Sequence, residues 1–389
     1  FALALFDQWL ASEQVAADRW VLVLVGVLAD TRAIPVLKAP IQSWAENSRH
    51  KLAEWAAQAI ALIPGDEALT ILDGLANRYR SKYKNIGRAC REALEAAAVA
   101  RGVSLDDLAD LIVPDFGFDA DRQRTFSWDG GELIAVMGPE FKLSWINPET
   151  GKETKAMPGK APDELKTEVK ALNKLLRESI KGQTARLELC LVRQRRWTVA
   201  RWQELFEVNP LLQSFAARLV WGVFGDDGVL GATFRRYPNG ILANAAGEMV
   251  DLEEESGFVG IIHPLDLDDD AIEAWREHLG RMKVKPPFPQ LDRPVARLDP
   301  QHGNRKEIGV TNKVSLSFGT FRSRAERRGW QRGSIIDGGG VSSYCKVFPG
   351  AGVEVYLGTE DIYIGYDPMD VMTLGVAYFA KAGTVEVGS

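Results

Sequence analysis

The feature that most constrains this chain is a recurrence near its start. Asp30-Thr31-Arg32-Ala33-Ile34-Pro35-Val36-Leu37 returns thirty-five residues later as Gly65-Asp66-Glu67-Ala68-Leu69-Thr70-Ile71-Leu72. Each copy is followed by a second helical pattern, Ser48 to Ile63 and Asn85 to Ala100. A repeat of that length holds one helix pair, and such a unit buries its apolar face only by stacking on its neighbours. The first 113 residues therefore predict antiparallel helix pairs laid side by side, with almost no strand signal. The same spacing also fits a plain helical bundle.

This front region resembles HEAT-like repeats. The resemblance implies a concave surface that meets a protein partner. The chain opens at Phe1 inside an amphipathic pattern (Phe1, Leu5, Phe6, Trp9, Leu10), and a stacked array that begins there would leave an apolar end uncovered. The expectation is an interior piece of a longer protein.

After Pro114 the texture changes. Arg122 to Trp128, Glu132 to Gly138 and Phe141 to Ile146 alternate like strands, broken at Asp129-Gly130-Gly131 and Gly138-Pro139. Residues 114–160 are read as a small β meander. Residues 161–389 are read as a helix-led mixed α/β domain. It opens with one long helix carrying Leu165, Val169, Leu172, Leu176, Ile180, Leu187 and Leu191 on a stripe, followed by helices over Val199–Val208 and Leu211–Phe224. Turns follow at Asp226-Asp227-Gly228 and Asn244-Ala245-Ala246-Gly247, and short β segments fill the C-terminal ninety residues. The fold class is α+β, with helical repeats in front and antiparallel meanders behind.

Several words in the second half occur in the order and spacing of a known family. They are Arg196-Trp197; Asn209-Pro210-Leu211-Leu212; Arg218-Leu219-Val220-Trp221-Gly222; Phe234-Arg235; His263-Pro264-Leu265; Trp275; Pro287-Phe288-Pro289-Gln290-Leu291-Asp292-Arg293-Pro294-Val295; and Gly329-Trp330-Gln331-Arg332-Gly333. Together they resemble the bacterial MolR-type domain of unknown function (domain of unknown function 4132), which often follows helical repeats. The resemblance implies architecture and carries no settled activity. Gln301 to Gly319 departs from it by lacking the long helix expected before the Gly-Trp pair, and no WGR domain is present.

Charge and composition narrow the function classes. A net charge of -6 gives no general attraction to nucleic acid or anionic membrane. The longest apolar run, Val21 to Ala29, is well short of the roughly 20 residues that span a bilayer, so no membrane partner is expected. Cys90, Cys190 and Cys345 are odd in number and far apart, which implies a reducing compartment, the cytoplasm. His50, His263, His278 and His302 stand at no ligand spacing, so neither metal nor cofactor is expected. Asp266, Asp268, Asp270 and Glu277 mimic a calcium loop, but Ala271 replaces the glycine its turn requires; the acids read instead as a helix cap. Ser343 and Lys346 form a lone Ser-x-x-Lys without companion motifs, and Gly338-Gly339-Gly340 reads as a turn.

Two sets of residues remain as candidates for an anionic ligand or partner. Arg218, Arg235, His263, Gln290 and Arg293 each sit in an apolar or proline-rich word, where they either join an internal network with Asp251 or Asp292 or line a cleft. One basic run is Arg193, Arg195 and Arg196 before Trp197; Arg327, Arg328 and Trp330 belong to a second with Arg322, Arg324 and Arg332, which fits a solvated helix face or a phosphate clamp. Two functions follow. One is a non-enzymatic interaction or regulatory module that binds a protein or an anion; the other is an enzyme or binding protein acting on nucleic acid or a nucleotide.

Overall fold

The computed structural model describes residues 1–79, 82–158, 161–252, 257–295, 306–308, 314–333, 335–348, 351–360, 362, 363, 365 and 367–383. The fold is α+β, helical in front and built of antiparallel sheets behind. The chain divides into two compact units. The first holds residues 1–186, 200–218 and 236–242, the second residues 187–199, 219–235 and 243–389.

In the first unit, α1 (Ala2–Ala11) packs on α2 (Trp20–Leu28), α3 (Ala33–Lys38) and α4 (Ile41–Glu46) pack on α5 (His50–Leu62), and α6 (Asp66–Arg78) packs on α7 (Lys84–Arg101). The second helices α2, α5 and α7 run side by side, so the thirty-five-residue recurrence becomes stacked helix pairs. One buried cluster joins them, with Leu22 and Val25 of α2, Ala56 and Ile60 of α5, and Ile86 and Cys90 of α7. Gly26 permits the close approach of α2 to α5, since a side chain there would run into the Ala59 carbonyl. Ser104 then caps α8 (Leu105–Leu111), its hydroxyl accepting from the Asp107 amide at 3.0 Å.

The meander forms as its alternation predicts, in the order β1 (Gln123–Trp128), β2 (Gly131–Met137), β3 (Leu143–Ile146) and β4 (Glu153–Thr154). Phe126 and Trp145 bury one face, with ring centroids 6.1 Å apart. The long helix α9 (Asp163–Val192) follows. Its Arg186 donates to the Asp110 carboxylate and, at 2.6 Å, to the Gln183 side chain. Asp110 is 2% exposed, so the charge pair is taken out of water. β5 (Arg196–Thr198) leads to α10 (Val199–Gln203), which runs on as a π-helical turn, Glu204–Val208. Asn209 caps α11 (Pro210–Ala216) by accepting from the Leu211 and Leu212 amides, both at 3.0 Å.

The expected helix over Leu211–Phe224 stops at Ala216. Trp221–Phe224 is instead β6, whose four residues are all buried. A short unbroken apolar run has the same appearance in a buried helix and in a central strand, and here it is sandwiched between two neighbours in a sheet. That sheet has the order β5, β9 (Phe258–Ile261), β6, β7 (Leu230–Arg236), β8 (Leu242–Ala243).

In the second unit, α12 (Asp269–Arg281) is capped by Asp268, which accepts from the Ala271 amide at 2.7 Å; Asp266 accepts from the His263 amide. Asp266 and Asp268 of the calcium-like stretch thus serve helix starts, and Asp270 lies in the first turn of α12. A larger antiparallel sheet runs β10 (Glu307–Ile308), β17 (Val371–Lys381), β16 (Val353–Glu360), β15 (Ser343–Phe348), β12 (Gln331–Arg332), with β11 (Val314–Ser317) also on β17. A ten-residue helix, α13 (Phe318–Arg327), does precede the Gly-Trp pair and packs on this sheet, with Phe321 edge-on to Tyr344 at 4.8 Å. Most of the stretch from 301 to 313 lies outside the described residues. Gly338 and Gly339 take φ of 78° and 82° between β13 (Ile335–Ile336) and β14 (Gly340–Val341), an antiparallel pair.

Candidate anion site

The site is built on β15. Successive side chains of a strand alternate between faces, so Tyr344 and Lys346 share one face and Ser343 lies on the other. Ser343 and Lys346 therefore cannot act as a catalytic pair. Lys346 stands opposite Val355 of β16, two residues along from Tyr344, which α13 covers. It is 8% exposed and makes no hydrogen bond or ion pair among the described residues; its ammonium lies 5.0 Å from the Phe348 ring.

The like charges of three guanidiniums from distant parts of the chain act on Lys346. Arg193 follows the end of α9, Arg328 follows the end of α13, and Arg293 lies within the proline-rich word. Burial pulls the Lys346 ammonium below its ordinary range, and the like charges of Arg193, Arg328 and Arg293 pull it further, in that order. Arg293 donates through Nη2 to Glu188 at 2.9 Å, while its Nη1 is closed off without a hydrogen-bond partner. Beside it, His263 is pulled below its ordinary value by burial first and by Arg293 second, with Asp266 opposing. Its ring Nδ1 accepts from the Leu265 amide at 3.1 Å. Arg328 is exposed, so the cluster runs from the surface inward to Lys346. Such an arrangement attracts a ligand carrying negative charge, which would relieve the mutual repulsion of the cations.

The candidates read from the sequence separate. His263, Arg293 and Arg328 come to this cluster. Gln290 is 1% exposed and serves as a tie: it accepts from the Val220 amide at 3.0 Å and donates to the Val220 and Ile262 carbonyls at 2.7 and 2.9 Å. Arg235 is buried on β7, close enough to His278 to oppose its protonation. Arg218 belongs to the first unit. It lies in the turn beyond α11 rather than on a helix, half-buried, 5.4 Å from the Phe141 ring. Arg327 donates to the Ser323 carbonyl at 3.0 Å on the exposed face of α13, where Arg322 pairs with Glu326 at 3.0 Å. Trp330 is half-buried against the α13 core. Asp292 bonds Arg276 rather than Arg293.

Lys346 was visible in the sequence only as half of a Ser-x-x-Lys pair, and Arg193 only as part of a basic run. The available signal was periodicity: position 346 falls between Tyr344 and Phe348 on the alternating pattern, where an inward residue is expected. Among the described residues no group of three or more His, Cys, Asp or Glu could hold a metal ion, and no helix is long and apolar enough to cross a membrane. The Cys90 thiol is pushed up to about 12 by burial.

Comparison with known proteins places the second half first. Residues 151–330 match the model of the family described as "Domain of unknown function (DUF4132)". Over 343 aligned residues, which cover 86% of the chain, the sequence is 27% identical to the "Uncharacterized protein YehI" of Escherichia coli (strain K12). The chain spans 28% of the length of that relative. No solved structure matches.

Proposed function

We propose that this chain is a non-enzymatic interaction module of a larger bacterial cytosolic protein, a MolR-type domain behind HEAT-like repeats, that binds an anionic ligand at Lys346. The observation that supports the reading is a lysine 8% exposed that makes no hydrogen bond or ion pair among the described residues and feels the like charges of three guanidiniums. Buried cations are retained where they are paired or where a ligand pairs them. The stacked helix pairs supply a separate surface suited to a protein partner. A polyanion suits the cluster better than a single carboxylate, because several like charges act on one ammonium.

Calorimetric titration with inorganic pyrophosphate and with ATP tests this, using the parent and Lys346→Gln. The expected result is binding to the parent that weakens about tenfold in the variant, the usual effect of losing one charge-assisted hydrogen bond. Equal affinity in both proteins, or none in the parent, overturns the reading. Turnover of ATP abolished by Lys346→Gln would favour an enzyme acting on nucleotides instead.

A further inference from the structure

A second group of guanidiniums lies in the first unit, and nothing in the reading of Lys346 depends on it. Arg122 ends the Asp119 turn, where the Asp119 carboxylate accepts from the amides of Asp121 and Gln123 at 3.0 and 2.8 Å. Its φ of 61° is left-handed, a backbone state that a long side chain seldom adopts. Arg236 ends β7 and is 7% exposed. Both reach toward one hairpin turn, Tyr237 to Gly240. Arg122 Nη2 donates to the Pro238 carbonyl and Arg236 Nη1 to the Tyr237 carbonyl, each at a long 3.4 Å.

The remaining donors are not accounted for. Nε and Nη1 of Arg122 and Nε of Arg236 are closed to solvent and make no hydrogen bond. Buried N–H groups of charged side chains are seldom left this way, and an absent ion is one ordinary reason. The carboxylate that acts on Arg236 is Glu207, and the two form no ion pair among the described residues. Burial pulls the Arg236 guanidinium below its ordinary value, Glu207 opposes this, and the like charge of Arg122 adds to it. Burial likewise pushes the Glu207 carboxyl up, so its negative charge is itself disfavoured there. Gly240, at φ 89°, lets the turn backbone pass beside Arg236 Nη2.

We propose that Arg122 and Arg236 form a binding site for a phosphate-type dianion, seated beneath the Tyr237–Gly240 turn. A tetrahedral oxyanion offers several acceptor oxygens, which suits directed donors from two guanidiniums better than a halide does. Entry replaces the two long carbonyl contacts that hold the turn down. Free phosphate and the phosphate of a monoester share this chemistry.

The test uses the full chain carrying Lys346→Gln, which disables the other cationic cluster, and the same chain with Arg122→Gln added. Each is titrated with inorganic phosphate and with AMP, with chloride balancing the ionic strength. Phosphorus NMR line broadening and calorimetry report binding. Phosphate is expected to bind the first protein and to lose about tenfold in affinity with Arg122→Gln. Binding of AMP as well assigns the site to monoesters; binding of phosphate alone assigns it to the free ion. Without ligand, Arg122→Gln should melt at the same temperature or higher, because it removes one of two like charges. No phosphate binding, affinity unchanged by Arg122→Gln, or a ligand-free melting point lowered by several degrees each overturns the proposal.

Discussion

Two half-buried arginines, Arg186 and Arg293, sit in different company. At α8 and α9, Arg186 sits between the Asp110 carboxylate and the Gln183 amide, with Asp73 close enough to feel its charge. At β15, Arg293 pairs with Glu188 at 2.9 Å and, with two other guanidiniums, acts as a like charge on a buried ammonium. The first site sets one guanidinium between carboxylates, while at the second the Glu188 carboxylate meets Arg293 and the Lys346 ammonium makes no ion pair among the described residues. The difference teaches that the enclosure of an arginine says nothing of its role until all of its charged neighbours are known.

The largest expected effect comes from breaking the first site. Arg186→Ala strands the Asp110 carboxylate away from water and should lower stability by about 3–5 kcal/mol, measured by urea denaturation. A loss under about 1 kcal/mol would make the two sites alike and remove the contrast.

The second site should respond the other way. Lys346→Met keeps the length of the side chain and removes one of the like charges, so ligand-free stability should be unchanged or raised by about 1 kcal/mol. A clear loss in the same denaturation experiment would mean that Lys346 is satisfied within the fold.

The smallest effect is a pH dependence that sharpens the comparison. His263 has its folded value pulled below 6.5 by burial and by Arg293. A base depressed on folding binds fewer protons in the native state than in the unfolded one, so its contribution is full above pH 6.5 and is lost as pH falls through the folded value. Melting temperature should therefore drop between pH 7 and pH 5, and drop less in His263→Gln. Pyrophosphate bound beside Arg293 should also flatten the slope, since its negative charge favours the imidazolium. A slope identical in parent and variant would remove His263 from the cluster.

Legibility in the sequence followed the range of the interactions. The helix pairs, the meander and the long helix were readable because each rests on local periodicity, and Asn209, Ser104 and Asp268 mark their helix starts in the residue itself. Trp221–Phe224 was misread because its run is too short and too uniformly apolar to show a period. The cluster at Lys346 was harder still. Its members come from positions 193, 293, 328 and 346, brought together only when α9, the proline-rich word, α13 and β15 have found their places. Gln290 and Arg293, three residues apart, looked equivalent in sequence, yet one ties two backbone segments and the other pairs with Glu188.

The side-by-side run of α2, α5 and α7 has a mechanical consequence. α5 touches α2, α3, α4, α6 and α7, whereas α1 and α8 sit at the margins of the array. A stack held by neighbour-to-neighbour interfaces behaves as a spring of linked leaves. Under tension it should yield from its margins in discrete steps, with α5 the last leaf to open.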